Sequence, residues 1–197
     1  MDEWSAEEAL LRELGVEDDG EFDFVDKTFP PRTSSLFDPT MPRHREADAW
    51  QDFTWKRAKD VYGRDQVALF RDIKPGDIEQ GYCGDCYFLS CLSSLAEFPD
   101  RIRTLFVTKE TNSSGIYAVQ LYITGERRVV VVDDYFPYCK YRQDFAMSTS
   151  KDRELWVLIL EKAWAKVHGS YQRIEGGNTS EALYALTGVH VDTIFHE

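Results

Sequence analysis

The sequence predicts an α+β fold: a mostly helical lobe built around one central buried helix, with a small antiparallel sheet. Three stretches carry that prediction. Across residues 86–97 no Gly or Pro occurs, and Leu89, Leu92 and Ala96 form one stripe and Phe88, Leu92 and Leu95 another, both at helical spacing. The small residues between them (Ser90, Cys91, Ser93 and Ser94) leave no charged face, so the helix is expected to be buried on most sides. Residues 116–123 and 127–133 read as two strands, and the short Thr124-Gly125-Glu126 between them predicts a hairpin. Residues 153–167 are amphipathic. Trp156, Ile159, Leu160, Ala163, Trp164 and Val167 make a wide apolar face, Glu154, Lys162 and Lys166 lie elsewhere, and Gly169 follows as the stop.

The remaining segments are read in chain order. Residues 1–26 hold most of the acidic excess, with only Arg12 opposing it, and residues 5–16 suggest a short amphipathic helix with Ser5 and Glu8 as a capping box. Residues 17–21 lack the ligand spacing of an EF-hand loop. Prolines punctuate residues 29–42, which should run extended over a surface. Residues 47–61 give mixed signals and no assigned element. Residues 101–107 are expected to be helical and then irregular, and a last helix should start near Thr179 and end at Gly188. The pair Asp133-Asp134 invites an acid/base reading, but at a strand end such a pair is more often structural.

Composition narrows the functional classes. The 197 residues are one domain by length, with 43% hydrophobic and 14% aromatic residues for a core. A net charge of −12 argues against nucleic acid or an anionic membrane as partner. No apolar run reaches the length of a membrane span, and the start lacks the pattern of a signal peptide. The four irregularly spaced cysteines suit reduced cytoplasmic thiols better than a disulfide framework.

The chemistry concentrates at residues 80–97. Two glycines in a polar loop lead into Cys86, in the first turn of the predicted helix, where free N–H groups and the helix dipole favour a thiolate. Gln80, six residues upstream, can fold back so that its amide and the Cys86 N–H donate to an oxyanion. That is the layout of a papain-type nucleophile site. Cys83 and Cys86 also spell C-x-x-C, open to a redox or half-zinc reading. The turn-rich residues 74–79 before it argue against the first, and the spacing of Cys91 and Cys139 against the second. Cys91 and Cys139 read as packed thiols.

The run Gln80-Gly81-Tyr82-Cys83-Gly84-Asp85-Cys86-Tyr87-Phe88-Leu89 closely resembles the active-site segment of the calpain family of cysteine peptidases. Cys83 stands where that family usually has Leu, and Tyr87 where it has Trp. Residues 154–181 are a second block similar to the family over nearly its whole length, and residues 29–36, 55–57 and 133–137 resemble it more weakly. The resemblance implies that Cys86 is the nucleophile, Gln80 the oxyanion-hole glutamine and Gly177 a backbone contact for substrate. It also implies one Ca²⁺ held by Asp77 and Glu154 with main-chain oxygens of Phe70 and Asp72, the last replacing a usual Gly. Residues 1–22 then form an acidic N-terminal segment, and residues 23–197 the first of two subdomains of a protease core.

A base is missing from this reading. A papain-type imidazole lies roughly 130–150 residues beyond its nucleophile, past residue 197. His44, His168, His190 and His196 each read as surface or packing histidines. The second subdomain, bringing His and Asn, is the expected partner, and protein substrates the expected target. The chain alone is expected to be inactive. The alternative is a non-catalytic binding or regulatory module on the same scaffold.

Overall fold

The computed structural model describes residues 23–42 and 47–192. The helix expected at residues 5–16 lies outside them, as do His44 and His196. The proline-rich stretch is not wholly extended. One helical turn, α1 (Thr33–Leu36), interrupts it, because Ser35 Oγ donates to the Pro30 carbonyl at 2.6 Å and Leu36 and Phe37 are buried. Phe37 packs against the fully buried Trp50, centroids 5.8 Å apart.

The ambiguous residues 47–61 contain three short elements in succession. These are a 3₁₀ helix at Ala47–Asp52, strand β1 (Thr54–Arg57) and helix α2 (Ala58–Tyr62). A 3₁₀ turn at Pro75–Asp77 leads into β2 (Ile78–Gln80). The central helix α3 (Cys86–Ala96) follows, then α4 (Pro99–Leu105), which opens on a proline that has no N–H to satisfy. The hairpin is formed by β3 (Ile116–Ile123) and β4 (Glu126–Asp133) in antiparallel register from Ile123↔Glu126 to Ile116↔Asp133. Its two-residue turn has positive φ at both Thr124 and Gly125, the primed geometry that matches strand twist. Three short strands, β5 (Tyr135–Cys139), β6 (Asp144–Phe145) and β7 (Ser148–Ser150), precede helices α5 (Trp156–His168) and α6 (Thr179–Thr187).

Instead of one small sheet there are three, all antiparallel: β1-β5-β6, β2-β7 and β3-β4. Alternation marks single strands well, but pairing over two or three residues leaves too short a pattern to read. The core joins α3 to α5, with Phe88 and Trp164 stacked face to face at 5.2 Å. No helix among the described residues is long and apolar enough to cross a membrane.

Two details of α5 differ from its amphipathic pattern. The helix starts at Trp156, because the preceding residues are held against residue 68: Glu154 forms an isolated bridge with Ala68, and Leu155 N–H donates to the Ala68 carbonyl at 2.9 Å. Lys162 is not on a solvated face. It is fully buried, its ammonium bonded to the Asp133 carboxylate and to the Tyr135 carbonyl at 2.6 Å. Asp133 also accepts the Asp26 N–H at 2.7 Å, while Asp134 is bound by Arg57. The two aspartates are therefore structural anchors.

Candidate active site

The segment before α3 is shaped by main-chain contacts. β2 pairs with β7 as far as Gln80↔Ser148, and the chain stays against residues 146–147 beyond it. Gly81 N–H donates to the Met147 carbonyl at 2.5 Å and Tyr82 N–H to the Ala146 carbonyl at 2.8 Å. Any side chain at Gly81 would run into those two carbonyls, so the loop needs glycine there. Gln80 Nε2 donates to the Cys83 carbonyl at 2.8 Å, which folds the Gln80 amide back over its own loop. The turn then closes with Phe88 and Leu89 N–H groups on the Asp85 carbonyl, at 2.8 and 3.1 Å.

Cys86 is the first residue of α3 and is exposed, whereas Cys83, Cys91 and Cys139 are buried. Burial pushes the Cys83 thiol well up from its ordinary range, and the charges of Asp85, Glu161 and Glu175 push it further. Burial raises the Cys91 thiol too. A redox pair needs two accessible sulfurs, and Cys83 instead points its thiol at the Tyr171 carbonyl, 3.7 Å away.

The second wall of the site comes from the loop between α5 and α6. Gly176 N–H donates to the Gly84 carbonyl at 2.9 Å, which ties this loop to the turn before Cys86. Gly177 lies against the Tyr87 ring so closely that a Cβ would collide with it. Tyr87 is fixed in turn, its hydroxyl accepting the Trp164 indole N–H at 2.9 Å. Asn178 caps α6 by accepting the Ser180 N–H at 2.8 Å. The structure thus brings Gln80, Cys86 and the bare backbone of Gly177 around one turn.

A model of the calpain family cysteine proteases matches residues 24–197. The chain belongs to that family. It is 44% identical over 176 residues to the calpain-type cysteine protease DEK1 of Zea mays, covering 86% of this chain and 8% of the maize protein. Against calpain-5 of Mus musculus it is 34% identical over 175 residues, covering 84% of this chain and 26% of the mouse protein. Against calpain clp-4 of Caenorhabditis elegans it is 32% identical over 168 residues, 84% of this chain and 22% of that protein. The chain thus spans a quarter or less of the length of most of these relatives.

In this calpain-family chain neither described histidine bonds to Cys86. His168 packs edge-on against Trp164 with its Nδ1 3.0 Å from the Trp164 carbonyl, and the exposed His190 lies 3.4 Å from Asp192. The residues expected to hold calcium sit where the loop of residues 70–77 meets residues 150–154. The buried Glu154 accepts the Arg71 and Asp72 N–H groups on Oε1 and the Trp156 indole N–H on Oε2, the latter at 2.9 Å. Asp77 accepts the Lys74 N–H at 3.0 Å on Oδ2, and its carbonyl accepts the Lys151 N–H at 3.1 Å. The Asp72 carboxylate faces Lys74. Among the described residues no three His, Cys, Asp or Glu side chains converge as a metal cluster. Hard oxygens suit calcium, and Asp77 Oδ1 and one lone pair of Glu154 Oε2 are uncommitted, so the donor chemistry fits.

Asp85 and Glu161 escape the sequence reading. They are buried acids beside the turn that leads into Cys86, and Glu161 carries the one usable signal: its i±3 and i±4 neighbours Val157, Leu158, Trp164 and Ala165 are all apolar.

Proposed function

We propose that this chain is the nucleophile-bearing half of a papain-like, calcium-dependent cysteine endopeptidase core that acts on protein substrates in the cytoplasm. The observation that supports it is the exposed Cys86 at the start of a buried helix, with the other three thiols enclosed. In the reaction the Cys86 thiolate adds to a peptide carbonyl carbon. The resulting oxyanion takes hydrogen bonds from the Cys86 N–H and from the second N–H of the Gln80 amide, whose first is spent on Cys83. The C–N bond then breaks, the amine leaves with a proton from an imidazolium, and water hydrolyses the thioester. The imidazole and the Asn that orients it belong to the second subdomain, so residues 23–197 alone do not turn substrate over. Gly177 offers its main chain to the substrate backbone.

Asp77 and Glu154, with main-chain oxygens of Phe70 and Asp72, would hold one Ca²⁺, clamping the loop before Cys86 to the start of α5. Calorimetric titration checks this, with heat expected from the chain and lost in Asp77→Ala and Glu154→Ala. No heat, or heat kept by both variants, removes the site. The catalytic reading is tested by joining a His- and Asn-bearing second subdomain and assaying a peptide substrate. Cys86→Ala should lower turnover by more than about 10³-fold and Gln80→Ala by about 10²-fold. Full turnover with Cys86→Ala overturns the proposal, and no turnover from a folded fusion points to a non-catalytic module.

A further inference from the structure

Asp85 stands at the N-cap of α3, where an aspartate ordinarily accepts N–H groups of the first turn. It makes no such bond. Its carboxyl group is fully buried, and neither oxygen has a donor. What it meets instead is the carboxyl group of Glu161 on α5, itself 1% exposed and with no donor on Oε1. Ionised carboxylates only accept, so two of them in hydrogen-bond contact need a proton between them.

The surroundings offer no counter-charge. Facing the pair are Cys83 from the preceding loop, Tyr87 from α3, Ser148 from β7, a neutral donor turned to Glu161, and Tyr171 and Glu175 from the segment after α5. None of these is a cation, and Glu175 adds negative charge. Lys162, next to Glu161 in the chain, is turned to Asp133 and Tyr135. Two bare carboxylates touching in a fully buried site are far costlier than one retained proton.

We propose that Asp85 and Glu161 share one proton directly behind Cys86, and that this acid pair positions the helix start by holding the Asp85 carboxyl group off the α3 N-terminus. Its purpose rests on Cys86 being the nucleophile; its existence does not. An ionised Asp85 swung out to cap α3 would occupy the first-turn N–H groups and set negative charge beside the sulfur, opposing both thiolate and oxyanion. Drawn inward, it leaves N–H groups that have no intrahelical acceptor free for charge that develops at Cys86. The Asp85 main chain still closes the turn through Phe88 and Leu89.

Burial pushes the Asp85 carboxyl group up to about 7, and Glu161 well above its ordinary range. Folding therefore takes up a proton. The pair's stability is complete below the ordinary carboxyl range and falls as pH rises through about 7. Infrared spectroscopy in heavy water at about pH 6, where ordinary carboxyl groups are ionised, tests this directly. The chain should show the carbonyl band of a protonated acid, and Glu161→Gln, which supplies an N–H donor in place of the proton, should lose it. A chain without the band overturns the proposal, even if the variant does not fold. In thermal melts the chain should lose Tm between about pH 5 and 7 relative to Glu161→Gln; parallel curves overturn the shared proton. The rate at which iodoacetamide modifies Cys86 should show a second inflection near pH 7 that Glu161→Gln lacks, and superimposable profiles overturn the positioning role. None of these measurements involves peptide turnover, so their failure and that of the peptidase reading are separate results.

Discussion

Helix α5 buries two charged residues in succession, Glu161 and Lys162, and satisfies them in opposite ways. Lys162 enters a cluster in which every acid has a cation or N–H donor: Asp133 with Lys162, Asp26 with Lys166, Asp134 with Arg57. Glu161, one residue earlier, faces another acid and no cation. Burial is as complete on one side as on the other. What decides whether a carboxyl group keeps its charge is the donors within reach. The ion-paired cluster fastens α5 to the strands, and the acid pair abuts the helix start that carries Cys86.

The largest effect that would break this comparison is on Lys162. Removing its ammonium leaves Asp133 charged and buried, so Lys162→Met should cost about 3–5 kcal/mol in urea unfolding. Glu161→Gln, which adds a donor, should stay within about 1 kcal/mol of the parent at neutral pH. If the two variants lost equal stability, the distinction between paired ions and paired acids would be gone.

A smaller effect sharpens the comparison through pH. Burial alone would raise the Asp26 carboxyl group, but the bonds from Lys166 and Thr28 outweigh it and hold the group below its ordinary value. A lowered carboxyl stabilises the fold above the unfolded value of about 4 and ceases to as pH falls through the folded one. Asp26 thus loses stability as pH falls and the Asp85–Glu161 pair as pH rises. Asp26→Asn should cost about 1–2 kcal/mol at neutral pH and shrink the acid-side loss, leaving the limb near pH 7 untouched. Denaturant midpoints across pH check it; an unchanged acid limb would exclude Asp26 from that transition.

The contrast also explains what could be read from the sequence. The central helix, the hairpin and the turn before Cys86 are legible because each rests on a local signal: stripes at helical spacing, alternation around Thr124-Gly125, glycines before Cys86. The family resemblance rests on the same local runs. The β2-β7 pairing that shapes the Gln80 loop joins segments 70 residues apart and spans three residues, so it leaves no periodic trace. A helical wheel puts Lys162 off the apolar face because it cannot foresee an aspartate arriving from β4. The substrate-contact role proposed for Gly177 comes only from the family; its packing on Tyr87, which holds the Trp164 indole, is tertiary.

The smallest expected effect concerns Cys83, three residues before Cys86 in the C-x-x-C spacing. Its thiol is buried and donates weakly to the Tyr171 carbonyl at 3.7 Å, and both burial and the neighbouring acids oppose its ionisation. Without a thiolate there is no attack on a disulfide and no rapid alkylation. Cys83→Ser should therefore cost about 1 kcal/mol or less, since Ser can make the same bond. Limited iodoacetamide treatment followed by mass-spectrometric mapping should find Cys86 modified first, at the same rate in parent and variant. Cys83, Cys91 and Cys139 should be modified only as the chain unfolds, because each is buried. If Cys83 were modified alongside Cys86, the acid pair would not exert the field assigned to it, and the redox reading would return. If Cys91 were modified first, α3 would have to begin elsewhere, and Cys86 would lose the helix terminus on which its chemistry depends.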